Sequence, residues 1–187
     1  MEVMRLVVTG PVGAGKSTFI QTISEIKVVN TDRCATDETA QLKKNTTVAL
    51  DFGRLQFSPD MVLHLYGTPG QTRFDFMWDL LIRKTHAYIM LVPSHRPAEF
   101  QQARRMINFM GQRTVAPMVV GLTHGDCDGA WSADSVMGAL GLARWQNPPA
   151  VVGVNTNDPK SVAKAVIALL QQYSQQASQQ RSLPIGA

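Results

Sequence analysis

At 187 residues and 44% hydrophobic composition, the chain can bury one full core but is too short for two comfortable domains. No apolar run reaches the length of a membrane span, and no signal-peptide pattern or lipidation motif is present, so a cytoplasmic protein without a membrane anchor is expected. The net charge of +4 is modest and its basic residues are scattered without interleaved aromatics, which argues against nucleic acid as a partner.

In chain order, short apolar runs alternate with helical patterns. A strand is predicted over residues 4–9, a helix over 17–25 and a long polar segment over 27–46, ending in Thr46-Thr47. Strands over 48–57 and 61–66 flank Ser58-Pro59-Asp60, a turn sequence that makes them an antiparallel hairpin. A helix over 74–84, a strand over 87–92, a helix over 98–112 and a strand over 118–122 follow. The last elements are a helix over 132–140, a strand over 151–154 and a helix over 159–173, with Asp158 capping and Pro159 in the first turn. The Gln/Ser-rich residues 174–187 read as a fraying tail. Strands separated by helices imply an α/β domain, with a six-stranded, mostly parallel sheet, one antiparallel strand and helices on both faces.

The strongest chemical signal is Gly10-Pro-Val-Gly-Ala-Gly15-Lys16-Ser17, a complete phosphate-loop motif between a strand and a helix. Its glycines let the chain wrap closely, so that the backbone N–H groups of Val12, Gly13, Ala14, Gly15, Lys16, Ser17 and Thr18 can face phosphate oxygens at a helix N-terminus. The Lys16 ammonium would bridge the terminal phosphates, and the Ser17 hydroxyl would bind magnesium.

Further along, "TVALDFG" and "GTPGQTRF" follow the polar segment, and "VGLTHGDCDG" follows the fifth main strand. With the phosphate loop, these make residues 3–172 resemble a small Ras-like GTPase, which implies a three-layer P-loop domain (the Ras-like G domain) over residues 1–173. The resemblance implies that Thr47 reaches the magnesium ion and that the Gly70 N–H meets the terminal phosphate. It implies that Gln71 orients the attacking water. Thr123, His124 and Asp126 fill the guanine-reading positions, where a carboxylate accepts from N1–H and the exocyclic amine. Asn155, Thr156 and Asn157 would line the base edge through their N–H groups. The Thr-Pro-Gly-Gln and Thr-His-Gly-Asp variants are similar to the prokaryotic MglA-type GTPases associated with roadblock-fold partners. What this implies is a GTP/GDP switch, slow at hydrolysis and regulated by activating and effector proteins.

One departure stands out. Where the family has an acid that holds magnesium through water, this chain has Gly67. Asp51 stands four residues beyond Thr47, ~13 Å further along an extended strand. It is therefore expected to face a partner, leaving Ser17, Thr47, the phosphates and water to hold the ion. On that reading Gly67→Asp would tighten magnesium if the loop can accept the side chain.

The remaining residues have plainer readings. His64, His86, His95 and His124 show no metal-ligand spacing, and Cys34 and Cys127 form no zinc or redox motif. Met77, Trp78, Leu81 and Ile82 recur at helical spacing as core or partner surface. Arg33 is the arginine best suited by type to act on the phosphates, with a solvated loop charge as the plainer reading, and Arg73 would order its loop. A nucleotide-binding adaptor without hydrolysis and an ATP-dependent phosphotransferase stay open as alternatives.

Overall fold

β5 (Ala87–Pro93) is buried at every position, and this sets the architecture. A strand with no polar face must be covered on both sides. Tyr88, Met90 and Val92 pack into one core layer, while Ala87, Ile89 and Leu91 pack into the other. The computed structural model describes residues 2–30, 50–71 and 75–182. Among these, β1 (Glu2–Thr9), α1 (Lys16–Ile23), β2 (Val29–Asn30), β3 (Asp51–Ser58), β4 (Met61–Gly67) and α2 (Asp75–Ile82) precede β5. After it come α3 (Phe100–Gly111), β6 (Met118–Thr123), α4 (Ala133–Leu140), β7 (Ala150–Gly153) and α5 (Pro159–Ser182).

The strands form one sheet in the order β2-β3-β4-β1-β5-β6-β7. β4, β1, β5, β6 and β7 are parallel, and β3 runs against β4 as the turn sequence requires. The six expected strands are therefore present, with one antiparallel. The two-residue β2, unforeseen because two residues carry no periodicity, pairs with the outer side of β3. One face of the sheet carries α2, α3 and α4 over Val7, Met90, Val120 and their neighbours. The other carries α1 and α5 over Leu6, Val8, Ile89 and Val119.

α5 opens as its sequence predicts, with Asp158 Oδ1 accepting from the Lys160 N–H at 3.0 Å. It ends later than predicted. The expected boundary at 173 falls inside a helix that runs to Ser182. Glutamine and alanine are good helix formers, and no glycine or proline interrupts residues 174–182. Gln176 also donates to the Val115 carbonyl at 2.8 Å, tying this extension to the loop before β6.

Five parallel strands thus end at one edge of the sheet, where β1, β4, β5 and β6 deliver Thr9, Gly67, Pro93 and Thr123. In open parallel sheets this edge is where ligands bind. The antiparallel β3 begins where the others end, so Asp51, its first residue, lies at the same edge.

Candidate nucleotide-phosphate site

The loop between β1 and α1 is built on backbone angles that side chains resist. Gly15, the residue before α1, has φ +91°, and a Cβ there would come within 2.9 Å of Thr156 Cγ2. The expected base-side segment 155–157 is thereby pressed against the phosphate loop. The same contact is fastened by Thr22 Oγ1, which donates to the Thr156 carbonyl at 2.6 Å. Lys16 curls back over the loop, its Nζ donating to the carbonyls of Gly10 at 2.8 Å and Pro11 at 2.7 Å. Burial lowers the Lys16 pKa to about 8, with the nearby Asp51 carboxylate pulling the other way.

Ser17, exposed at the start of α1, donates its hydroxyl to Asp51 Oδ2 at 2.5 Å. Asp51 is therefore not facing outward, as its distance from Thr47 along the strand suggested. Antiparallel pairing sets Asp51 opposite Gly67, at the end of β4 beside the phosphate loop. The residue is 8% exposed, and its other oxygen, Oδ1, is buried with no hydrogen-bond partner among the described residues. Thr47 lies outside the described residues, as do Arg33 and Arg73.

The Thr-Pro-Gly segment after β4 is held at three successive residues. Thr68 donates its N–H to the Val8 carbonyl at 3.0 Å and its hydroxyl to Thr9 Oγ1 at 2.8 Å. The Pro69 carbonyl accepts from the Trp78 indole at 2.7 Å, and the Gly70 carbonyl accepts from Gln102 Nε2 at 2.5 Å. Gly70 is seated directly on the phosphate loop. A Cβ there would lie 2.7 Å from the Val12 nitrogen and 2.9 Å from Lys16 Nζ. Gln71, next in the chain, is exposed.

The end of β6 ties into the same loop. Thr123 is buried and donates its hydroxyl to the Ala14 carbonyl at 3.1 Å. That uses its one proton, so the contact with His124 Nδ1 at 2.9 Å must be donated by the imidazole. His124 has φ 59°, and its ring lies 4.6 Å from that of His95. Its pKa is lowered by burial first, then by His95 and Arg96, with Asp126 opposing. Asp126 is exposed on the same loop. The N–H groups of Asn155 and Asn157 already have partners in the Ser161 hydroxyl at 2.9 Å and the Asn155 side chain at 3.0 Å.

The sequence pattern left several of these residues unmarked. Arg96, in the loop after β5, brings Nη1 to 2.8 Å from the Cβ position of Gly13, beside the phosphate loop. It belongs to no motif. Gln102 and the Trp78 indole likewise find their carbonyls only through tertiary packing. Counting back from the Ser58-Pro59-Asp60 turn sets Phe52 across from Gly67, and only the register shift between Gln56 and Ser58 brings Asp51 there, so the sequence alone missed this pairing by one residue.

The family described as "Conserved hypothetical ATP binding protein" matches residues 27–181. The uncharacterized protein MJ1339 of Methanocaldococcus jannaschii is 28% identical over 93 residues, 50% of this chain and 53% of that protein. The chain thus spans about half the length of this curated relative. In three dimensions the chain is similar to the Arl6 BBS3 small GTPase from Trypanosoma brucei, solved with the nucleotide analogue GppNp. The TM-score is 0.71 at 16% identity, covering 94% of this chain and 99% of the other. At that identity the likeness is one of fold, the Ras-like P-loop fold.

Proposed function

The chain belongs to the family of conserved hypothetical ATP binding proteins, which makes it a nucleotide-binding protein, and we propose that it is a GTP/GDP switch. It binds GTP with magnesium, hydrolyses it slowly to GDP and changes the Thr-Pro-Gly-Gln segment as the terminal phosphate is lost. The observation that carries this reading is the seat of Gly70 against Lys16 Nζ and the Val12 nitrogen. A terminal phosphate held by Lys16 meets Gly70, so the position of this segment depends on whether that phosphate is there. In this reading the N–H groups of Val12 to Thr18 cradle the phosphates and Gln71 orients water.

Magnesium suits the donor set, since the Ser17 hydroxyl stands beside a buried carboxylate with one oxygen lacking a partner among the described residues. When bound it supplies positive charge to the phosphates. Thr47 is proposed as a further ligand on the family resemblance alone.

Guanine is preferred over adenine on the chemistry of Asp126, whose carboxylate matches two adjacent donors on guanine. Thr123 and His124 support its loop, and Asn155, Thr156 and Asn157 border the base. Membership of an ATP-binding family favours a second reading, in which the base is adenine. Competition of GTP and ATP against a fluorescent GDP decides between them. GTP should win, and Asp126→Asn should shift preference toward xanthine nucleotides. Equal competition by ATP would sink the guanine reading. Single-turnover phosphate release then separates a GTPase from a non-hydrolysing adaptor.

Activating and effector proteins are the proposed regulators, of roadblock fold if the MglA-type resemblance extends that far. The exposed apolar side of α2, with Phe76 at 53% and Leu80 at 58% exposure, supports such a partner beside the switch segment. No helix among the described residues is long and apolar enough to cross a membrane. A cytoplasmic setting is part of the proposal.

A further inference from the structure

Two facts at the sheet edge fit together. β4 ends in Gly67, the position where the Ras-like resemblance implies an acid, and β3 begins with Asp51 directly opposite it. A Cβ built on Gly67 would lie 3.1 Å from Asp51 Cβ and 3.2 Å from Asp51 Oδ2, and 3.0 Å from Ile20 Cδ1. The space beside Gly67 is taken up by the Ile20 methyl and the Asp51 side chain, carboxylate included. That carboxylate reaches the Ser17 hydroxyl at 2.5 Å.

We propose that Asp51 is the metal-holding acid of this site, moved one strand sideways across the antiparallel pair, and that Gly67 is glycine to make room for it. The proposal deepens the nucleotide-magnesium reading and rests on it.

Three physical points carry the argument. A buried carboxylate with one unpartnered oxygen is unfavourable by itself, and a cation offsets that cost. Among the described residues, Asp51 Oδ1 is in that condition. The donor set is also hard oxygen throughout, a hydroxyl and a carboxylate, which suits magnesium over softer metals. Finally, the site is crowded. With Asp51 Cβ at 3.1 Å and Oδ2 at 3.2 Å, a side chain on Gly67 pushes Asp51 or Ile20 by a few tenths of an ångström and sets a second carboxylate against the first. Gly67→Asp would tighten magnesium only if the side chain fits, and with Asp51 in place the single substitution is proposed to weaken it instead.

The test uses the full chain with magnesium titrated against release of a fluorescent GDP, and release in EDTA measured separately. Asp51→Asn retains an acceptor for Ser17 and removes only the charge. It should raise the magnesium concentration needed for half-maximal retention on the order of 10–100-fold relative to that variant's own release in EDTA. Gly67→Asp alone should weaken retention. The swap of Asp51→Gly with Gly67→Asp should recover most of the loss. An unchanged magnesium midpoint in Asp51→Asn overturns the proposal. So does a swap that binds GDP normally in EDTA yet holds magnesium no better than Asp51→Asn.

A second arm covers a swap that fails to fold, and also failure of the nucleotide reading, which shows as no guanine or adenine nucleotide binding by the unmodified chain. Manganese(II) is titrated with tripolyphosphate, a base-free probe, and followed by electron paramagnetic resonance. Weaker manganese binding in Asp51→Asn than in the unmodified chain upholds the acid's role; equal or absent binding in both overturns it.

Discussion

The indole of Trp78, on α2, donates to the carbonyl of Pro69 at 2.7 Å, while its ring meets Phe109 of α3 edge-on at 5.6 Å. One side chain thus joins the segment after β4 to the helices that cover the sheet. Trp78→Phe keeps an aromatic ring and removes the donor. We expect a loss of about 1 kcal/mol from the lost hydrogen bond, seen as a fall of roughly 2–4 °C in thermal midpoint. A midpoint unchanged in the nucleotide-free chain would mean that the Pro69 carbonyl finds water without loss.

Lys16 should make nucleotide binding pH-dependent on the alkaline side. Its pKa in the free chain is lowered to about 8, chiefly by burial. Phosphates favour the charged ammonium, so affinity should be flat below that value and fall above it, by up to about tenfold per pH unit. Stability moves oppositely. The lowered pKa reflects a cost of burying the ammonium that is fully present below pH 8 and relieved as pH rises from about 8 toward the unfolded 10.5. Isothermal titration between pH 7 and 10 checks the first; Lys16→Met should remove both trends and most triphosphate affinity.

Gln71 is exposed and lies one residue beyond the seat of Gly70 on the phosphate loop. Gln71→Leu should leave GTP affinity nearly intact and slow hydrolysis by roughly 10–100-fold, as for loss of a group that positions water. Single-turnover phosphate release gives the answer, and a normal rate would remove Gln71 from the mechanism.

Arg96 offers a guanidinium at the flank of the phosphate loop, next to Gly13. A charge-assisted hydrogen bond to a phosphate oxygen is worth about tenfold in affinity. Arg96→Ala should weaken GDP and GTP by that factor in low salt and by less in high salt, because Arg96 is exposed. Binding of the two nucleotides unaffected at every ionic strength would leave Arg96 as a packing residue.

The phosphate loop, the hairpin and the alternation of strands and helices were legible because each rests on local rules. Eight residues in register name the loop, a Ser-Pro-Asp turn fixes β3 against β4, and unbroken apolar strands demand two covered faces. Asp51 was misjudged because distance was measured along its own strand from Thr47 rather than across the pair to Gly67. The boundary at 173 failed for a different reason. Glutamine and serine look like tail composition, yet glutamine supports a helix once a preceding helix has nucleated it. Arg96 and Gln102 were invisible, since no spacing rule joins residue 96 to residue 13 or residue 102 to residue 70.

The pairing of Gly67 with Asp51 also makes the two positions answer to each other whenever either is changed. An acid on β4 and an acid on β3 are two substitutions apart, and the intermediates differ. A chain with both must fit two carboxylates where only 3.2 Å separates Asp51 Oδ2 from the Gly67 Cβ position. A chain with neither keeps its packing and loses on the order of 10–100-fold in metal affinity. Of the two, the chain with neither acid leaves the packing beside Ile20 undisturbed, whereas the chain with both needs Asp51 or Ile20 to give by a few tenths of an ångström.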